Sequence, residues 1–477
     1  MSAAAQTSVR SGPWLWLFYA LMIASTIGGF LVIAQLGRNL APAESSDTVT
    51  ALAVPSTAAN PAKAKAAGGH ALWHVLLALA AVIAVGQVLG RLFPLIGQPP
   101  VIGEVLAGIA LGPSLLGHFW PAGYEYLLPP SVAPHLGIIA QLGVILYMFA
   151  VGLELDTGRL RGYGHAALAI SHASIVAPFS LGALLALGIY PQVAAREVPF
   201  TVFALFLGVA MSITAFPVLA RILTDRGLAR TPLGVLALAC AATDDVTAWC
   251  LLAFVSGVAQ AQVGGALLVV LWTIGYLIVM FFVVRSLIGR WLATSSERTI
   301  SSGQIALVIL ALLASALATE WIGIHAIFGA FILGAVIPHD SPLAEQLGKH
   351  IESVVVVLLL PAFFAFTGMR TEIALVSGWG DWLLCAIIIL VATLGKFGGT
   401  LVAARLVGQT WRDSAGLGIL MNTRGLMELI VLNVGLDLGI ITPRLFAMMV
   451  VMAIATTVAT GPLLGLVGSS GRKTTAS

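Results

Sequence analysis

Asp244 and Asp245 stand side by side within residues 233–257, an apolar stretch that carries no other charge. A carboxylate at bilayer depth costs at least about 2.5–3.5 kcal/mol, and two adjacent ones also repel each other. Such a pair persists only where water and a compensating cation can reach it, so its chemistry is that of an ion or proton site. Lys396 is a third charge in an apolar run, 387–406, and lies too deep to reach the interface by snorkelling. A buried ammonium needs an acidic partner, and the dyad is the natural one. Adjacent helix positions point about 100° apart. Asp244 is therefore expected to pair with the lysine while Asp245 faces a water-filled cavity. The competing reading is a purely structural ion pair at Lys396.

Helix-breaking residues surround this constellation. Ser212 and Thr214 precede Pro217 in residues 208–223, and Asn422, Thr423, Arg424 and Gly425 cluster within 416–435. Proline removes a backbone donor, and Ser, Thr and Asn side chains offer partners to the groups that it frees. Broken helices at mid-membrane are tolerated where they line a cavity, and their ends supply partial charges for ions. Ser212, Thr214 and Thr243 are the candidate oxygen ligands beside Asp244 and Asp245 for a monovalent cation. Arg424 and Glu428, four apart, share a helix face and read as a local ion pair that neutralises the broken region. Lys396, Asn422 and Thr423 are supporting residues in the same sense. Glu104 and Glu154 either line an entry path or, the reading favoured, are structural or interfacial, and His325 reads as a terminal cap. The sequence carries no metal-ligand cluster, no phosphate-cradling loop and no nucleophile with a partnered base, so neither an enzyme nor a cofactor is expected.

The elements that hold these residues are membrane helices. The chain is 59% hydrophobic and 9% charged, with a mean hydropathy of +1.02, where soluble domains carry roughly a quarter charged residues. Fourteen apolar stretches of spanning length fall near 14–36, 72–92, 99–116, 136–154, 165–190, 200–222, 232–257, 263–288, 303–320, 323–338, 353–369, 382–407, 414–434 and 443–467. With the N-terminus cytoplasmic and the helices alternating, fifteen Lys/Arg lie inside and six outside. The positive-inside rule supports that orientation, with both termini cytoplasmic. Residues 1–38 read as an extra N-terminal helix or signal anchor, 39–69 as an extracytoplasmic linker, 70–468 as the transporting domain and 469–477 as a cytoplasmic tail. Cys240, Cys250 and Cys385 all lie in apolar segments, which argues against a disulfide framework.

Within the large domain the chain repeats. LAGIALGP (106–113) resembles FGAFILGAVIP (328–338), and MFAVGLELD (148–156) resembles FFAFTGMRTE (363–372). Each pair is seven helices apart, and an odd offset means that the copies run in opposite directions, the mark of inverted-repeat transporters. The same offset relates the two polar breaks.

The segments VIGEVLAGIALGPSLLG (101–117), SITAFPVLARILTDRGLARTPLG (212–234), AATDDVTAW (241–249), HAIFGAFILGAVIP (325–338), LLLPAFFAFTGMRT (358–371) and MNTRGLMELIVLNVGLDLGIIT (421–442) together resemble the monovalent cation:proton antiporter superfamily. The likeness is to the branch of plant-type cation/H⁺ exchangers and Kef-type potassium/proton antiporters. It implies an all-α polytopic fold of thirteen helices in an inverted repeat with two crossed discontinuous helices, to which this chain adds one N-terminal helix. It further implies a mobile core (about 157–257 and 382–468) against dimerisation helices (about 70–156 and 258–381), and a homodimer. By the same likeness Asp245 matches the essential cation/proton carboxylate and Lys396 its lysine. Asp244 takes a position that is Asn or Gln in some relatives.

These readings predict exchange of K⁺, Na⁺ or Li⁺ for protons by alternating access, in a bilayer that is bacterial and cytoplasmic, with no nucleic-acid partner. If both aspartates cycle protons, two protons exchange for one cation and charge moves; if only Asp245 cycles, exchange is electroneutral. The double aspartate favours the first. A channel or uniporter would instead pass cations without proton coupling and survive Asp245→Asn. A metabolite or drug exporter on the same scaffold would show no cation-dependent proton flux.

Overall fold

The computed structural model describes residues 13–41, 61–154, 159–195, 197–260, 266–294 and 301–467. Most of the expected linker, residues 42–60, and the tail beyond 467 lie outside them. Among the described residues twelve helices are long and apolar enough to cross a membrane, and a thirteenth span is a helix pair bent by 44°. One expected span is short. Ala326–Val336 has only eleven residues, because Gly323 ends the preceding helix in a left-handed turn and Ile337–Pro338 stops this one. His325 does not cap it. The residue sits at φ 72°, and the carboxylate of Glu320 accepts the Ala326 N–H at 2.8 Å instead. A second difference lies at the start of the large domain, where the helix begins at Pro61 and runs to Leu92. Proline is preorganised for the first helical turn, and Ala and Lys follow it.

The repeat is visible as crossed packing. Pro100–Leu111 lies against Leu360–Arg370, and Ala326–Val336 lies against Ala133–Leu153, so each copy's first element packs on the other copy's second. Glycines set both closest approaches. A β-carbon on Gly108 would lie 2.1 Å from the Phe364 carbonyl oxygen, and one on Gly334 would lie 2.3 Å from that of Phe149. With little hydrophobic drive between helices in lipid, such close backbone contact is what holds them together.

The polar residues are gathered by a second group of helices. Arg159–Val193 packs on Phe200–Ser212, on Pro232–Gln260 and on Gly399–Leu406. The N-terminal helix Pro13–Gly37 rests on this group, chiefly on Arg159–Val193, with the Phe30 and Phe179 rings 5.8 Å apart. Lys396 sits in a π-helical turn, Leu394–Gly398, between Gly378–Thr393 and Gly399–Leu406. Turns of this kind are frequent at functional positions. The turn presses on Arg159–Val193 so closely that a β-carbon on Gly395 would lie 2.6 Å from Cα of Pro178. Gly395→Ala is therefore expected to force the two helices apart, at about 1–3 kcal/mol for overpacking a tight contact. A fall in thermal unfolding temperature of the detergent-solubilised protein checks this, and an unchanged temperature would contradict the tight contact.

Candidate functional site

Two helices break beside the aspartate helix Pro232–Gln260. The first stops at Ser212 and resumes at Phe216; the second stops at Met421 and resumes at Leu426. The breaks cross and bind each other, with the Ala215 N–H donating to the Thr423 carbonyl at 3.0 Å and the Thr214 hydroxyl 3.1 Å from the Met421 carbonyl. Pro217, at the start of the resumed first helix, is where a missing N–H costs nothing.

Asp244 lies at the centre, fully buried. Lys396 Nζ donates to its Oδ2 at 2.7 Å. Ser171 donates to Oδ1 at 2.5 Å and Ser174 to Oδ2 at 2.7 Å. Thr214 is 3.0 Å from Oδ2 and shares its single proton between that oxygen and the Met421 carbonyl. Lys396 also reaches the Ser174 oxygen at 3.3 Å. Asp245 is buried too but is engaged differently. It is 3% exposed, the backbone N–H of Phe216 faces its carboxylate, and its Oδ2 has no hydrogen-bond partner. That N–H belongs to the first turn of Phe216–Asp225, so the positive end of a half-helix points at this carboxylate.

Arg424 and Glu428 form a second buried pair at 2.8 Å. The guanidinium also donates to the carbonyls of Ala210 at 2.9 Å and Met211 at 2.5 Å. It thus caps the C-terminal end of Phe200–Ser212, where a cation opposes the helix dipole. Thr457 braces the break, accepting the Arg424 N–H at 3.0 Å and lying 2.6 Å from its carbonyl. Thr423 lies 3.4 Å from Thr460 through the two hydroxyls, and the Asn422 side-chain oxygen is buried without a partner. Two of the expected cation ligands donate their protons within their own helices and make no contact with either aspartate. Ser212 donates to the Val209 carbonyl at 2.8 Å and Thr243 to that of Ala239 at 2.9 Å. Ser171 and Ser174, which do reach the dyad, were not singled out in the sequence. Their signal is weak: two serines three apart in an apolar helix share a face.

A cavity of about 280 Å³ lies beside the first break, where Pro217, Val218 and Arg221 line it, but neither aspartate is among its lining residues, so the expected opening of Asp245 onto a cavity is not formed in this conformation. Glu104, Tyr147, Glu154, Pro217, Arg221 and Glu352 are among its lining residues. A second cavity of about 370 Å³, on the same side, shares Glu154 and Glu352 with it and adds His339 and Asp340. Glu104 and Glu154, for which an entry path was the alternative reading, both line this cavity. Burial and the nearby Glu352 charge push the Glu154 carboxyl above its ordinary range, with His339 opposing them. At the other end of these helices the two groups of helices touch through polar side chains. Arg370 pairs there with Asp437 and donates to the Asn433 side chain at 3.1 Å, while Asn433 donates to Thr367 at 2.9 Å. Among the described residues no group of His, Cys, Asp and Glu has the arrangement of a multi-ligand metal site.

Comparison with known proteins gives this geometry a family. Residues 48–468 match the family model described as sodium/hydrogen exchanger, transmembrane. The chain is 44% identical over 398 residues to the Na(+)/H(+) antiporter NhaS4 of Synechocystis, covering 83% of this chain and 97% of that one. It is 39% identical over 404 residues to Cation/H(+) antiporter 20 of Arabidopsis thaliana and 34% identical over 386 residues to K(+)/H(+) antiporter 1 of Saccharomyces cerevisiae. Those alignments cover 81% and 79% of this chain, and only 48% and 44% of the plant and yeast proteins. In fold it matches the sodium proton antiporter MjNhaP1 from Methanocaldococcus jannaschii with a TM-score of 0.62 at 13% identity, over 84% of this chain and 100% of that one. Neither the channel nor the exporter alternative is favoured by these likenesses. An integral membrane protein of about twelve spans, the chain belongs to the transmembrane sodium/hydrogen exchanger family.

Proposed function

We propose that the protein exchanges a monovalent cation for protons at Asp245 by alternating access. One observation carries this reading: a buried carboxylate oxygen without a partner, beside a half-helix whose Pro217 lines a cavity, while its neighbour is fully engaged with a lysine. A proton or a partly dehydrated cation neutralises Asp245, and the empty anionic site is costly to carry across hydrocarbon. Cation and proton therefore take turns. Backbone carbonyls freed at the two breaks supply further oxygens, and Thr214 and Asn422 stand beside them. Ser212 and Thr243 give their protons to carbonyls and keep oxygen lone pairs with which they would join the shell. The Synechocystis relative's name points to Na⁺ and the yeast relative's to K⁺, and carboxylate and hydroxyl oxygens accept either.

The excess of Lys and Arg in alternate loops supports a cytoplasmic N-terminus and a cytoplasmic membrane, so the cavity opens to the cytoplasm. In this reading 157–257 and 382–468 form a core that moves against the scaffold of 70–156 and 258–381, within a homodimer. From Val355 at the cavity to Arg370 is roughly 20 Å along a helix. Arg370 and Thr367 lie on the scaffold and Asn433 and Asp437 on the core, so these contacts latch the outer side shut. A half-exposed ion pair is worth about 1 kcal/mol or less. Arg370→Ala is therefore expected to make hydrogen exchange across Leu426–Asp437 a few-fold faster. Unchanged exchange would speak against a latch.

The antiport reading itself is tested by adding Na⁺, K⁺ and Li⁺ in turn to proteoliposomes that hold a pH-sensitive dye. At least one cation should drive protons across; silence with all three would reject antiport of these ions.

A further inference from the structure

Among the described residues Asp244 is the carboxylate with the most hydrogen-bond donors, and all of them are protein groups. A carboxylate offers about four lone-pair directions, and Lys396, Ser171, Ser174 and, in part, Thr214 fill them. All four donors are buried. Donor protons aimed at the oxygens stand where a cation would have to sit, and they repel it. Among the described residues no side chain is seen donating to Asp245, and the backbone N–H of Phe216 lies on its side. The asymmetry comes largely from one helix, Arg159–Val193, whose two serines both end on Asp244.

We infer that Ser171 and Ser174 are positioning residues that hold Asp244 as a fixed partner of Lys396, out of the exchange cycle, so that Asp245 alone trades one proton for one cation. The inference rests on the antiport reading and adds a stoichiometry to it, the opposite of what two adjacent aspartates suggest. Ser174 has a double part, accepting from Lys396 while it donates to Asp244, and so fixes the ammonium and the carboxylate together. Without the two hydroxyls Oδ1 of Asp244 has no donor, and Oδ2 keeps only the lysine and a shared threonine. The second carboxylate is then free to take a proton or share the cation. The charged and titratable groups around Asp244 are Lys396, Asp245 and Cys240, with the Arg424–Glu428 pair beyond the lysine.

The test measures apparent cation KM against pH in proteoliposomes, together with the current that a cation jump evokes on a solid-supported membrane. When one proton competes with one cation, KM changes about ten-fold per pH unit on the acid side, and two protons make it about a hundred-fold. The wild type should show the ten-fold slope and no sustained current. Ser171→Ala/Ser174→Ala should steepen the slope toward a hundred-fold and carry current. Ser171→Thr and Ser174→Thr, which keep the hydroxyls, should restore the wild-type slope. A hundred-fold slope with current in the wild type would overturn the inference. So would a transporting alanine variant, single or double, with the wild-type slope. If the double variant fails to fold, Ser174→Ala alone supplies the same comparison. A wild type that moves no protons with any cation would instead reject antiport, and that outcome is distinct from both.

Discussion

Asp245→Asn is expected to abolish cation-driven proton movement while leaving the fold in place. The amide has nearly the shape of the carboxylate and can keep its oxygen toward the first turn of Phe216–Asp225. It holds no exchangeable charge, so neither a proton nor a cation changes its state. The variant also removes like-charge repulsion from Asp244 and leaves every donor on that residue intact. Its thermal unfolding temperature should therefore equal or exceed the wild-type value. Transport lost together with the fold would point to a structural role; transport lost from a stable protein locates the exchange at this side chain.

Arg424→Ala should be among the most destabilising single changes in the molecule. The guanidinium serves three acceptors, the carbonyls of Ala210 and Met211 and the Glu428 carboxylate, and none of these can reach water. Removing one partner of a buried ion pair costs about 3–5 kcal/mol because the other charge is left without compensation. Here the C-terminal end of a half-helix loses its cap as well. Arg424→Lys should recover little, since a single ammonium cannot span the fork. Arg424→Ala/Glu428→Gln should recover more, because no charge is then stranded. Thermal unfolding of the four proteins checks the order, and an Arg424→Ala variant as stable as the wild type would contradict this reading of the break.

The parts of the site legible in the sequence are those that violate the rules of a membrane helix. Two aspartates, a lysine and the sequence Asn422–Gly425 stand out in apolar segments whatever their partners. Both breaks were visible for that reason, and so was the inverted repeat, because glycine-rich stretches mark where helices must cross closely. Hydroxyl residues were not legible in the same way. A serine or threonine in a helix can satisfy itself on the carbonyl three or four residues back, as Ser212 and Thr243 do. Ser171 and Ser174 look identical in sequence and behave differently, because the rotation of Arg159–Val193 turns them onto a residue some seventy positions away. The reach of Arg424 to Ala210 and Met211 had no local signal either. It exists only because two breaks far apart in the chain cross. At Pro61 the signal was present, a proline ahead of good helix formers, but the polar, Ala/Pro-rich composition outweighed it.

The central claim, that Asp245 is where cation and proton take turns, is most directly tested by one paired measurement. Wild-type and Asp245→Asn proteins are reconstituted at equal density, and internal pH is followed after an external jump in Na⁺ or K⁺. The wild type should move protons with at least one of these cations, and the variant with neither, although both unfold at comparable temperatures. Wild-type flux through Asp245→Asn would place the exchange elsewhere.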